Sequence, residues 1–349
     1  MLKFIRIILS PLTILYKFII NLRNSFFDKN TFKQTKVNAK VVSVGNLTVG
    51  GSGKTPFVIM LTKYLKSKKN RVGVLSRGYG RNSKGYHLVS KGDSPLIDVS
   101  KSGDEILLVS AECKVPAAVS EKRVIGAQNF LNDVELDTIV LDDAFQHRWI
   151  WRDLNILIID QKFLSNVNSI DQNLLPLGSM REPFESTKRA DLIVINRKFS
   201  PKITLPSKLK HYFLEKSLYY SYYSVEGIYD VKDNKKYTTK DFEGQHSLVV
   251  CGIAKPFSFL RILGENNINI NNKIIFNDHK DYTIKEVEEI RKKFYSTNSY
   301  SVLTTQKDAV KLMQFRKELD DIDIYFLKIE LQIEDDKKFF EEIDAKILN

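Results

Sequence analysis

A chain of 349 residues with 43% hydrophobic residues can form two domains and bury a core in each, which excludes an intrinsically disordered chain. Its two cysteines, Cys113 and Cys251, cannot build a disulfide framework and fit a reducing compartment. The formal charge of +12 favours an anionic partner, yet residues 1–40 carry +7 of it and the rest only +5.

Residues 1–28 read as one amphipathic helix. Lys3, Arg6, Ser10, Thr13, Lys17, Asn21 and Asn24 recur in steps of three and four, so they share a narrow polar stripe with Leu, Ile and Phe around the remainder. Arg23 alone lies well off that stripe, and Pro11 should kink the helix rather than forbid it. Lys17 interrupts the apolar run before it reaches the roughly 18 residues of a spanning helix. No small-residue cleavage site follows, as a signal peptide would require. The expectation is a helix lying in a membrane interface; the competing reading is a helix packed on the protein's own core.

The next stretch, KVVSVGNLTVGGSGKTP at 40–56, is the chemical centre of the sequence. Residues 41–44 are a β-branched run suited to a buried strand. Thr48, Val49, Gly50, Gly51, Ser52, Gly53, Lys54 and Thr55 then form a phosphate cradle. Backbone N–H groups would face the anion, Lys54 adds a point charge, and the Thr55 hydroxyl can ligate Mg²⁺. Pro56 suits the first turn of a helix, and Phe57, Met60, Leu61, Tyr64 and Leu65 continue it with helical spacing. Thr48 stands where the usual pattern has its first glycine.

Strands and helices alternate from there. A strand at 71–76 runs into Arg77-Gly78-Tyr79-Gly80-Arg81, a loop able to touch phosphates or sugar. Asp104 and Glu105 open an apolar helical pattern, a short strand at 115–119 follows, and a helix starts at Lys122-Arg123. An apolar strand then ends in Asp142-Asp143, with Gln146 and His147 just beyond, which suits Mg²⁺ opposite a glycine loop. Strands at 154–160 and 191–196 flank the turn-rich LPLGSMREP at 175–183. The pattern indicates an α/β protein with a P-loop NTPase-like, mainly parallel sheet flanked by helices.

Tyrosine-rich β-type sequence at 217–237 suggests a two-stranded linker to a smaller C-terminal α/β lobe. That lobe should contain a strand from 247, a helix at 283–294 opened by a Thr283/Glu286 capping box, strands at 300–304 and 322–330, and an acidic terminal helix from Glu334. The expected division is 1–28 helix, 29–215 kinase core, 216–245 linker and 246–349 lobe.

Eight stretches together resemble the tetraacyldisaccharide 4′-kinase family: 43–56 SVGNLTVGGSGKTP, 75–81 LSRGYGR, 103–105 GDE, 142–148 DDAFQHR, 177–183 LGSMREP, 189–191 RAD, 276–282 FNDHKDY and 304–311 TTQKDAVK. They run nearly from end to end in the family's order. Ala144 replaces a usual glycine, Gln306 a usual acid, and GIAKP at 252–256 is a variant form. The resemblance implies transfer of the ATP γ-phosphate to the 4′-hydroxyl of an acylated disaccharide phosphate, a lipid A precursor. It implies Lys54 in catalysis beside Asp104 and His279 as a proton-accepting pair, Asp104 in the P-loop lobe and His279 in the other. Thr55, Asp142, Asp143, Gln146 and Glu182 would serve the metal, and Arg77, Tyr79, Glu105, Arg123, His147 and Arg181 the substrate. The implied place of work is the cytoplasmic face of a bacterial inner membrane.

Two other classes fit parts of the sequence. A nucleotide-switch or metal-insertion GTPase shares such loops but needs a base-reading motif, and the nearest sequences, Asn196-Arg197-Lys198-Phe199 and Gln306-Lys307-Asp308, do not supply one at a convincing place. A nucleic-acid-binding ATPase would explain the charge, but most of it sits on an apolar helix with no stacking aromatics interleaved, so no nucleic acid is expected.

Overall fold

The computed structural model describes residues 2–253, 256–277, 280 and 282–348, with side chains from residue 9 onward. The chain forms two compact units. The first comprises Met1–Ser102, Val109–Tyr223 and Leu331–Asn349; the second comprises Gly103–Leu108 and Ser224–Glu330.

In the first unit the strands are β1 (Lys40–Gly45), β2 (Val72–Ser76), β3 (His87–Lys91), β4 (Pro116–Val119), β5 (Thr138–Leu141), β6 (Leu154–Asp160), β7 (Leu192–Asn196) and the first half of β8 (Ser217–Asp230). They lie in the order β8-β7-β6-β1-β5-β2-β4-β3. Every pairing is parallel except β3 with β4. A parallel sheet needs cover on both faces, and β1, β2, β5 and β7 accordingly bury nearly every residue. β1 lies centrally, so the loop after Gly45 opens at the carboxyl end of the sheet beside the end of β5. Ligands of open α/β sheets bind at such ends.

The N-terminal helix, Leu2–Asp28, contains Pro11 without ending there. Its packed side differs from the expected polar stripe. Tyr16, Arg23, Asn24 and Phe27 turn inward, with the Tyr16 hydroxyl donating to the Arg181 carbonyl at 2.9 Å and Phe27 edge-on to Trp149. Thr13 also turns inward, its hydroxyl accepting from the Leu177 N–H at 3.3 Å. Leu12, Ile14, Leu15, Phe18, Ile19 and Leu22 lie on the opposite side, 43–70% exposed. A helix packed only on its own core would bury those six. Among the described residues no helix is long and apolar enough to cross a membrane.

The second unit contains the second half of β8, β9 (Lys236–Tyr237), β10 (Ser247–Cys251), β11 (Lys273–Ile275), β12 (Ser301–Thr305) and β13 (Ile324–Ile333) as far as Glu330. Its parallel pairings give the order β11-β10-β12-β13. The Ile284–Ser296 helix begins with the expected capping box, since Glu286 accepts from the Thr283 N–H at 2.9 Å. The expected two-stranded linker is instead one 14-residue strand, β8, joined by the two-residue β9.

Two boundaries differ from expectation. The terminal helix Asp336–Ile347 belongs to the first unit, not to a 246–349 lobe. Fully buried Phe339 meets Phe57 edge-on with centroids 6.0 Å apart, and Phe340 stacks on Tyr64 at 3.8 Å. Residues Gly103–Leu108 belong to the second unit, because Asp104 pairs with Lys311 at 3.0 Å.

Candidate active site

The cradle is built by backbone conformation first. Gly50 and Gly53 hold φ of 98° and 96°, where only glycine is unstrained. Gly53 then leads into the Lys54–Ser67 helix, whose unpaired N–H groups mark an anion site. Gly45 is required by closeness instead: a Cβ there would stand 2.6 Å from the Phe145 backbone nitrogen.

The LGSMREP stretch lies along the loop. Val49 donates to the Ser179 carbonyl at 2.8 Å and Arg181 to the Leu47 carbonyl at 2.7 Å. This pairing carries the Arg181 guanidinium to Asp143, whose oxygens it reaches at 3.0 and 2.9 Å. Lys54 approaches the same carboxylate at 3.4 Å. Burial alone would raise the Asp143 carboxyl, but Lys54 and Arg181 outweigh it and hold the group below its usual range. Asp143 also carries the positive φ of this turn, 49°, so Ala144 needs none and its departure from the usual glycine is harmless.

Asp142 is buried, and the Ser76 hydroxyl donates to it across a long 3.4 Å. Its own carbonyl accepts from Arg123 at 3.1 Å. Arg123 is also buried and donates to the Ser120 carbonyl, so it braces the Asp142 turn from within. That differs from the expected contact with substrate. Arg77 and Tyr79 are exposed on their loop, where a substrate can reach them. His147 is half-buried, and burial together with nearby Arg123 and Arg152 pushes its imidazole down to about 4, leaving it neutral at pH 7.

Gln146 donates to the Asn46 carbonyl at 2.7 Å, supporting the start of the loop. Glu182 departs from its expected place beside a metal. Its carboxylate is fully buried, 2.5 Å from Arg189 and 3.9 Å from Arg23. Arg148 and Arg152 add positive charge around Arg189 and Arg23. An acid among arginines is already neutralised, and a divalent cation there would meet repulsion.

The oxygen donors Thr55, Asp142 and Asp143 do suit a hard cation. Among the described residues there is no group of three or more His, Cys, Asp or Glu that could hold a metal by itself. Mg²⁺ bound by one or two carboxylates plus substrate phosphates requires no such group, so these residues fit it.

In the second unit Asp104 is nearly buried, with Lys311 at 3.0 Å and Lys307 at 3.6 Å. Lys307 also reaches Glu105 at 3.3 Å. Lys311 donates to the Lys280 carbonyl at 3.0 Å, one residue beyond His279. Buried Asp308 accepts from Gly252 N–H at 2.9 Å and from the Tyr282 hydroxyl at 3.2 Å, tying down the two loops that flank this region. His279 itself lies outside the described residues, as do Asp278, Asp281, Ala254 and Lys255. Asp104 was expected in the P-loop lobe; its contacts place it in the unit that contains the 276–282 loop. Lys307, Asp308 and Lys311 carry no expected role from sequence, although the TTQKDAVK motif groups all three.

A central parallel strand, left-handed glycines, a lysine at a helix start and paired acids ending the neighbouring strand define a P-loop phosphotransferase. The chain matches the Tetraacyldisaccharide-1-P 4′-kinase family over residues 5–348, and it belongs to that family. It is 34% identical to a tetraacyldisaccharide 4′-kinase of Halothermothrix orenii, covering 95% of this chain and 90% of that one. It is 35% identical to the Chlorobium luteolum protein of the same name, covering 88% and 87%. A crystal structure of LpxK from Aquifex aeolicus in complex with ATP shares 30% identity and a TM-score of 0.80, over 98% of this chain and 99% of that chain.

Proposed function

We propose that this chain transfers the γ-phosphate of ATP to the 4′-hydroxyl of a tetraacylated glucosamine disaccharide 1-phosphate. Family membership supplies the reaction. The observation that carries it to these residues is the convergence of Lys54 and Arg181 on Asp143 at the mouth of the glycine loop. The step forms a bond from the sugar oxygen to the γ-phosphorus and breaks the one to the β,γ-bridging oxygen, while the hydroxyl proton passes to a base. Phosphoryl transfer asks the protein mainly for position and charge.

Lys54 and the loop N–H groups hold the nucleotide phosphates. Thr55, Asp142 and Asp143 would hold Mg²⁺, which would neutralise charge on those phosphates. Asp104 and His279 take the proton, the carboxylate orienting the imidazole and stabilising its charged form. Arg77, Tyr79 and Arg181 receive the acceptor's sugar phosphate.

The acceptor's acyl chains call for a membrane surface, and the exposed row from Leu12 to Leu22 offers one. Lying in an anionic leaflet on the cytoplasmic side, this helix would bring the site to its substrate. The test combines purified protein, ATP-Mg²⁺ and the acylated disaccharide 1-phosphate, with product mass measured. A gain of one phosphate at the 4′ position supports the reading, and its absence overturns it.

A further inference from the structure

Asn196-Arg197-Lys198 is one of the two stretches nearest to a base-reading motif, and the structure uses it differently. Asn196 ends β7 fully buried. Its amide donates to the Ser52 carbonyl at 3.1 Å and to the Tyr223 hydroxyl at 3.1 Å. Its carbonyl oxygen accepts from the Lys198 N–H at 2.9 Å. Both amide hydrogens are therefore engaged and the oxygen already accepts one bond inside a fully buried site, so the amide is not presented to a base edge.

Lys198 completes the arrangement from one side. Its ammonium donates to the Gly51 carbonyl at 2.9 Å and to Asp160 at 2.8 Å, and Asp160 in turn caps the Lys162 N–H at 2.9 Å. The ends of β6 and β7 and the middle of β8 thus contribute Asp160, Asn196 and Tyr223 to one brace behind the glycine loop. The fit is tight. A Cβ on Gly53 would collide with the Asn196 amide nitrogen and stand 2.5 Å from the Tyr223 oxygen.

The brace has a directional consequence. In a trans peptide the C=O and the following N–H point opposite ways. Drawing the Ser52 carbonyl toward Asn196 turns the Gly53 N–H away from it, to the side where phosphate binds. We propose that Asn196 and Lys198 are positioning residues that hold the Gly51 and Ser52 carbonyls back and so preset the Gly53 N–H for the ATP phosphates, the Ser52 N–H being kept by the Gly50 carbonyl at 3.1 Å. This rests on the reading of residues 50–55 as the ATP cradle.

The experiment measures ATP dissociation constants by calorimetry, with KM for ATP and for acceptor, in wild type, Lys198→Met, Lys198→Arg and Asn196→Asp. Loss of a charge-assisted hydrogen bond predicts an ATP affinity about tenfold weaker in Lys198→Met. The acceptor KM should stay at the wild-type value, and Lys198→Arg should recover most of the loss because it keeps donors. Asn196→Asp places a carboxylate without donors against the Ser52 carbonyl and should match or exceed the Lys198→Met loss. Hydrogen exchange at Gly53 and Lys54 should quicken in folded Lys198→Met without nucleotide. Unchanged ATP affinity and exchange in Lys198→Met would overturn the inference, as would equal rises in both KM values. Wild type that fails to bind ATP would instead overturn the cradle reading itself.

Discussion

Replacing Glu182 by Gln removes one charge and almost no volume, so its cost depends on how the neighbouring arginines are held. The carboxylate is fully buried, 2.5 Å from Arg189, whose own side chain is 11% exposed. Arg189 also lies over the Phe145 ring at 4.6 Å, so it cannot turn out to water without vacating that contact. Removing one partner of a buried pair costs about 3–5 kcal/mol, because the remaining charge stays desolvated. The second pair, to Arg23 at 3.9 Å, is longer and involves a side chain 28% exposed, so it adds well under 1 kcal/mol. A loss of about 3 kcal/mol corresponds to a Tm lower by roughly 4 °C in a chain of 349 residues. Thermal and urea unfolding of wild type and Glu182→Gln, each with and without Mg²⁺, measure this. A Tm within about 2 °C of wild type, together with a raised Mg²⁺ requirement for turnover, would refute the arginine-cluster role and return Glu182 to the metal.

Lys54→Ala should lower kcat by at least about 10²-fold while leaving Tm nearly unchanged, since Arg181 still holds Asp143; near-normal turnover would remove Lys54 from the mechanism. His147 has a folded value of about 4 against 6.5 unfolded, so its contribution to stability is complete above pH 6.5 and is lost as pH falls toward 4, where the unfolded chain takes up the proton first. Urea midpoints across that range should fall less in His147→Gln than in wild type, and parallel curves would contradict it. Leu15→Asp with Phe18→Asp, both on the exposed side of the first helix, should release the protein from anionic vesicles without changing Tm; retained binding would exclude that face. Asp104→Ala and His279→Ala should each lower kcat strongly, and the double variant scarcely more, whereas additive losses would retire the pair.

The sequence by itself determined whatever depends on neighbours in the chain. The run at 41–44 became a buried central strand, and the glycines behind it took the left-handed conformations that only a residue without Cβ adopts cheaply. The Thr283/Glu286 box began its helix as spaced, and Asp142-Asp143 ended its strand beside the glycine loop because parallel strands bring their carboxyl ends to one edge. Tertiary structure decided what depends on partners far away. Nothing near Glu182 announces that Arg23 will share its site, and nothing near Asn196 points to Ser52, 144 positions earlier. Spacing found the polar stripe of the first helix, but Thr13 and Asn24 turned inward from it and left apolar residues facing out, since only the docked surface decides which side is covered. Phe339 and Phe340 carried their helix back to the first unit, and Lys311 drew Asp104 into the second. A side chain's pattern in sequence sets the element it joins; its buried partners, which the folded chain alone brings within a few ångströms, set whether it binds, braces or catalyses.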